Sequence, residues 1–171
     1  VDLQQAVTLA EKGIANNPED WHLYHQLGYI HWRMGNYDEA AAAYQAGSEL
    51  PGAPQWIRIM AANMQTKGGS RELARQMYLQ MLDGAADEQT KAVARVRLLG
   101  LKAADQIDAA NKILTDRRER SGRCAVSTRE ITAELAAAEV PAGSEFQVTA
   151  TGELADPSGV PYLINGQTCT L

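Results

Sequence analysis

Residues 21–51, WHLYHQLGYIHWRMGNYDEAAAAYQAGSELP, decide the fold. Trp21, Tyr24, Leu27, Gly28, His31 and Trp32 recur at steps of three and four, which places them on one face of a helix. Gly35-Asn36 breaks that helix. Tyr37, Ala40, Ala41, Tyr44 and Ser48 restart the helical period in an alanine-rich segment, and Pro51 and Pro54 stop it. The stretch is therefore a helix hairpin. Small residues at Gly28, Ala40 and Gly47 let two helices approach closely, and the aromatic side chains fill the space between successive hairpins.

Outward from this hairpin the same spacing returns. Ala6, Ala40 and Ala74 are 34 residues apart, as are Ala10, Tyr44 and Tyr78. Gly35 and Gly69 share the offset, each where a helix needs a left-handed residue to end, and Gly13 and Gly47 match at a small-residue position. The next unit, Gln55 to about Asp87, keeps Gly69, Ala74 and Tyr78 but carries Ala61-Ala62 in place of Leu-Gly. A third hairpin is expected from about Glu88 to Arg118, with Ala94, Leu98 and Leu101, then Ile107, Ala110 and Leu114; Ala110 lies 36 after Ala74, a slip of two. Val1 to Asn17 reads either as the second helix of an earlier unit or as a lone capping helix, closed by Asn16-Asn17-Pro18. The first reading, with a chain that starts at Val1, suggests an excised segment with a targeting or membrane-anchoring sequence upstream.

With Tyr24, Leu27-Gly28, His31, Ala40, Tyr44, Gly47 and the prolines at 51 and 54 at their offsets, the stretch resembles the tetratricopeptide repeat family. The resemblance implies a mainly α fold over about residues 1–120, a superhelix of hairpins whose first helices line a concave groove. In such repeats the second, fifth, ninth, twelfth and thirteenth places of the first helix face a ligand. Here those places are His22, His25, Tyr29, Trp32 and Arg33, and in the next unit Trp56, Ile59, Asn63, Thr66 and Lys67. The set is aromatic with cationic edges, the residue types that dominate binding hot spots, and would suit an extended or helical peptide with apolar anchors and some acidic character. Packing against a neighbouring hairpin is the other reading of Tyr29 and Trp32. Relatives that grip a C-terminal carboxylate hold lysine at the fifth place and asparagine at the ninth; His25 and Tyr29 do not fit that pattern.

After Arg117-Arg118-Glu119-Arg120-Ser121-Gly122-Arg123 the composition changes, so the junction is expected near 120, with a small α+β domain over 121–171. Thr128 to Glu139 has a helical pattern with Ser127 or Thr128 as cap, and Val140-Pro141 ends it. Phe146, Val148 and Ala150 alternate as a half-buried strand does. Tyr162-Leu163-Ile164, Asn165-Gly166 and Gln167 to Leu171 signal a β-hairpin with a tight two-residue turn. Asp156-Pro157-Ser158-Gly159-Val160-Pro161-Tyr162 is a turn: Asp156 can accept backbone bonds, Pro157 presets φ and Gly159 takes the permissive place. This segment resembles the Asp-Pro-aromatic-Gly-x-Pro-Tyr loop near the end of bacterial secretion pseudopilins, with Ser158 in the aromatic place. Cys124 and Cys169 stand at the two ends of this thin-cored unit, as a disulfide staple would, or as two buried unpaired thiols.

Patterns for catalysis are missing. No G-x-x-x-x-G-K-[ST], H-E-x-x-H or G-x-S-x-G sequence occurs, and Cys124 has Arg123 beside it but no histidine near in sequence to act as base. His22 and His25 are one helical turn apart, but no Cys, Asp or Glu nearby completes a four-ligand zinc set in sequence, so groove lining and packing explain them better and no metal is expected. The chain has 16 basic and 21 acidic residues and a net charge of -5, against nucleic acid as a partner; 45% apolar and 22% charged residues are the balance of a globular chain. No cofactor and no small-molecule substrate are expected. These readings converge on a protein-interaction scaffold and not an enzyme, binding a protein or peptide in the repeat groove, in a bacterial envelope assembly or secretion apparatus. The alternative is a structural subunit of a stable oligomer with no exchangeable ligand. A disulfide places the chain in the periplasm or another extracytoplasmic space, and reduced thiols leave the cytoplasm open.

Overall fold

A computed structural model describes residues 2–84 and 86–171; Val1, at the start of the expected first helix, and Ala85, in the expected second unit, lie outside the described residues. Seven α-helices are described: α1 Leu3–Asn16, α2 Trp21–Met34, α3 Tyr37–Ser48, α4 Trp56–Lys67, α5 Arg71–Asp83, α6 Glu88–Ser121 and α7 Thr132–Ala136, with a 3-10 helix Thr128–Ile131 before α7. Two short strands, β1 Gln147–Val148 and β2 Leu154–Ala155, pair antiparallel with Gln147 opposite Ala155 and Val148 opposite Leu154. The fold is mainly helical, made of stacked hairpins with a short two-stranded hairpin near the C-terminus. By its contacts the chain divides into two compact units, residues 1–98 and 99–171.

In the first unit the 34-residue interval is visible in the hydrogen bonds. After α2, Gly35 at φ 79° lets its own N–H reach the Trp32 carbonyl while Asn36 N–H reaches His31. After α4, Gly69 at φ 87° repeats the geometry, its N–H on Thr66 and Ser70 N–H on Gln65. This double bond pattern closes a helix and leads directly into the next one. Asp2, Asn36 and Ser70 then occupy equivalent places, each carbonyl accepting from the alanine four residues on: Ala6, Ala40 and Ala74.

The core of this unit contains Ala40, Ala41, Tyr44, Ile57, Ala61 and Met64, with Trp21, Tyr37 and Met60 packed against it. Gly28 is the close-approach point: a Cβ built there would stand 2.7 Å from Cε1 of the buried Tyr44 ring. Gly47 performs the same service in reverse, its position only 2.8 Å from Tyr24 Cβ for an added methyl. The aromatic of one helix thus sits over the glycine of its partner.

The third hairpin expected over 88–118 is corrected by α6, a single helix of 34 residues. No proline or Gly-Asn pair interrupts residues 88–121, and Ala94, Leu101, Asp105, Ala110 and Leu114 are buried along it at spacings that one continuous helix supplies. Its N-terminal part belongs to the first unit and the rest to the second. The expected junction near 120 therefore differs from the division between Leu98 and Leu99.

The second unit is built on that later part of α6. Ala110, Leu114, Ala125, Ile131, Leu135, Leu154 and Cys169 form its core, joined by Ile113, Phe146, Tyr162 and Ile164. Polar residues of α6 fasten the segments that follow. Gln106, fully buried, donates to the Glu145 carbonyl at 2.8 Å and accepts from the Tyr162 hydroxyl at 3.2 Å. Ser144 donates to the Asp105 carboxylate, and Leu171 N–H donates to Asn111 at 2.7 Å. Cys124 and Cys169 are joined by a disulfide that closes 45 residues, with Cα atoms 5.6 Å apart.

The local turns follow their side chains. Ser127 and Glu130 form a reciprocal capping box at the 3-10 helix, shorter than the helix expected over Thr128–Glu139. Asp156 accepts from Ser158 N–H at 2.8 Å and Val160 N–H at 2.9 Å, and Gly159 sits at φ 92°. The two-residue hairpin at Asn165-Gly166 is corrected. Asn165 accepts through its side chain from Gln167 and Thr168 N–H, and the chain returns only at Thr170, so four residues turn where two were expected. Cys169 takes the left-handed residue of that turn, at φ 60°.

Candidate interaction surface

The surface starts with a cap. Asp20 accepts the His22 N–H at 3.0 Å and stands 2.7 Å from His22 Nδ1, so the side-chain bond to His22 holds the Asp20 carboxyl below its ordinary value. This fixes the first turn of α2. Trp21 stacks on the His22 ring with centroids 3.7 Å apart, and meets Trp56 of α4 edge to face at 6.2 Å. His25, one turn along, presents itself edge to face to Trp56 at 5.3 Å and lies 5.8 Å from the Tyr44 ring.

Burial lowers the His25 imidazole from its ordinary value, and the neighbouring His22 charge adds to the shift. Burial is also the main reason that the Tyr44 hydroxyl is pushed up to about 12, with the nearby Tyr29 contributing. Tyr29 in turn lies 5.4 Å from Trp32, and the Arg33 guanidinium stands 6.0 Å from the Tyr29 centroid and donates to its hydroxyl at 3.3 Å. The ring contacts thus form two groups, Trp21, His22, His25 and Trp56 with the buried Tyr44 behind His25, and Tyr29 with Trp32.

Of the ten groove residues expected from the sequence, His22, His25 and Trp56 come together at one end, and Tyr29, Trp32 and Arg33 at the other. Tyr29, Trp32 and Trp56 are 44%, 38% and 43% exposed, enough to offer a face while still touching their neighbours. Asn63 and Ile59 are half-buried, and Asn63 accepts from the Tyr78 hydroxyl at 2.7 Å, which ties it to α5. Thr66 is exposed and donates to the Ala62 carbonyl at 3.1 Å. Lys67 is exposed at the end of α4. His31 is half-buried, its Nδ1 enclosed without a hydrogen-bond partner, in keeping with a packing role.

Two residues escaped the sequence reading. Trp21 belongs to the surface through its stack on His22, although no ligand-facing place of the repeat falls on it. Arg97 lies on α6 at an interval of 34 after Asn63, and its charge reaches the Tyr78 hydroxyl. Carrying the period one step further would have found it. Among the described residues no group of three or more His, Cys, Asp and Glu side chains could hold a metal ion, and no helix is long and apolar enough to cross a membrane.

A helix hairpin with paired glycine and tyrosine contacts and an aromatic face defines a helical-repeat module for protein interaction in general. Residues 22–52 match the family model described as Tetratricopeptide repeat, so the best unit of this chain is such a repeat, and the match indicates no catalytic family. No curated protein and no solved structure matches the chain.

Proposed function

We propose that the chain is a non-catalytic scaffold that holds a segment of a partner protein along α2 and α4. One observation carries this reading: half-exposed aromatic side chains, Tyr29, Trp32 and Trp56, on two helices that contain no aspartate or glutamate, in a chain with 21 of them and a net charge of -5. Such a face favours a segment with apolar anchors and acidic neighbours, and the acid-free strip orients that charge toward Arg33 and Lys67. The narrower setting, a bacterial envelope assembly or secretion apparatus in the periplasm, is supported by the disulfide, which persists in oxidising spaces, and by the resemblance of Asp156–Tyr162 to a pseudopilin loop.

Replacing Tyr29 and Trp32 together with alanine tests the reading. Calorimetry with a partner captured on the intact chain is expected to show a loss of about 2 kcal/mol or more of binding with unchanged helicity. Equal binding with a lowered melting temperature would make these rings core and move the interface elsewhere. The solution mass of the isolated chain separates the scaffold from a permanently buried oligomer subunit: a monomer fits the former.

A further inference from the structure

The aromatic face has an unequal hydrogen-bonding inventory. Among the described residues, none accepts a hydrogen bond from the indole N–H groups of Trp21, Trp32 and Trp56, and none is hydrogen-bonded to the His25 ring. The Asn63 side-chain oxygen is taken by the Tyr78 hydroxyl and the Tyr29 oxygen by Arg33, whereas His22 Nδ1 donates to the Asp20 carboxylate. Neither α2 nor α4 offers a carboxylate. The face therefore presents flat apolar rings and three spare indole donors, with the unprotonated ring nitrogens of His22 and His25 as its main spare acceptors.

Three kinds of peptide answer such a face differently. An α-helix has its backbone donors and acceptors paired internally, so it leaves the indole N–H groups without partners. A β-strand brings one donor for every acceptor, and beyond the ring nitrogens of His22 and His25 the face has little to give those donors. A proline-rich segment brings carbonyl acceptors with few N–H donors, and its ring carbons stack on aromatic faces. It is also extended before it binds, so little ordering entropy is lost.

The spacing agrees. The Trp56–His25 contact and the Tyr29–Trp32 pair are separated by roughly 8 Å along α2 at 1.5 Å per residue. A polyproline II helix returns to the same side about every 9 Å, three residues at 3.1 Å each. Two successive same-side positions of one segment thus meet the two aromatic groups.

We infer that the aromatic face of α2 and α4 takes a proline-rich, polyproline II segment of a partner protein, with its carbonyls on the tryptophan N–H groups. This rests on the scaffold reading above and specifies its ligand.

All three tryptophans of the chain belong to this face, so intrinsic emission is a local probe. The whole chain is titrated with three capped ten-residue peptides: one with proline at two of every three positions and leucine at the third, its alanine-for-proline analogue, and an acidic amphipathic helix-former. The expected result is saturable change with the proline peptide, about tenfold weaker or worse with the analogue, and a loss of about tenfold in Trp32→Ala. Trp32→Phe, which keeps a ring but lacks the N–H, is expected to lose several-fold while keeping the parent's circular dichroism. An analogue that binds within about twofold of the proline peptide overturns the inference, as does a Trp32→Phe variant that binds as the parent does. Binding of the acidic helix alone, abolished in Tyr29→Ala/Trp32→Ala, overturns the proline assignment while upholding the groove. Silence with all three peptides overturns the inference as well.

Discussion

In residues 1–98 the buried side chains are mostly small or aromatic and return at a fixed interval, with contacts between helices that are neighbours in sequence. Residues 99–171 reach a core differently. There a helix holds irregular segments through bonds that span long stretches of chain, such as Gln106 to Glu145 and Asn111 to Leu171, and a disulfide ties residue 124 to 169. The repeat unit gains order from many equivalent local packings. The C-terminal unit, with two-residue strands and a helix of five, depends on a few specific long-range ties. Damage should therefore be graded in the first and abrupt in the second.

The largest effect follows from the disulfide. Opening it releases a loop of 45 residues, which in the chain-entropy account removes about 4 kcal/mol from the unit that contains it. Because every tryptophan lies between residues 21 and 56, fluorescence follows the repeats, whereas far-ultraviolet circular dichroism follows both units. In Cys124→Ala/Cys169→Ala the dichroism transition is expected to fall and broaden while the tryptophan midpoint moves much less. Equal shifts by both probes would show that the two units melt as one, and the contrast between them would fail.

Next in size is Gly28→Ala. The added methyl meets the Tyr44 ring at 2.7 Å, and that ring is buried on α3, so a loss of about 1–3 kcal/mol is expected. Tryptophan-monitored melting measures it. A midpoint equal to the parent's would mean that Tyr44 swings away freely, and the glycine–aromatic contact would no longer explain the hairpin.

These two positions also show what was legible in the sequence. Gly28, Ala40 and Tyr44 announced the hairpin because a repeated local motif shows itself several times at one spacing, and Gly35 and Gly69 marked both helix ends. The continuity of α6 was hidden. Asp105, Gln106, Asn111 and Arg117 look like the solvated face of a helix near its end, yet they bond to Ser144, Glu145, Leu171, Glu130 and Glu134. No periodicity encodes such pairings, since each occurs once and joins residues that sequence keeps far apart. Asn165-Gly166 misled for a related reason: the Asn165 side chain caps the following N–H groups, and Cys169 must arrive where the disulfide requires it. On the interaction face the period located most residues, while the stack that recruits Trp21 depends on a side-chain conformation at the first turn of α2.

A smaller, graded difference between the units is expected in mild acid. All three histidines lie in the first unit, and burial lowers the His25 value below the usual 6.5. A lowered imidazole value in the folded chain means that the unfolded chain takes up the proton first. Stability from the neutral ring is complete above the ordinary value and is lost as pH falls from there through the lowered one. The tryptophan-monitored midpoint should therefore decline as pH falls below the ordinary imidazole value of 6.5, and His25→Gln should flatten that limb. The second unit has no histidine and meets acid only through carboxylates: Glu130, Glu145 and Asp156 are held low chiefly by Val126 N–H, Gly143 N–H and the Ser158 hydroxyl. Its acid loss belongs below the usual carboxylate range. A decline that persists in His25→Gln would assign the mild-acid limb to another group.

The smallest expected effect has the opposite sign to that of Gly28 and tests the continuity of α6. Gly100 lies twelve residues into that helix, is exposed, and has nothing within 4 Å of an added Cβ. A glycine in a helix interior with open space around it only adds freedom to the unfolded chain, so Gly100→Ala should stabilise by about 0.5–1 kcal/mol. Chemical denaturation followed by dichroism resolves a change of that size when variant and parent are measured together. If residues 88–118 were instead the expected hairpin, with its turn between Leu101 and Ile107, alanine at residue 100 would interfere with the approach to the turn and the sign would reverse. One methyl group thus destabilises at Gly28, where two helices touch through the missing side chain, and stabilises at Gly100, where a helix continues past solvent.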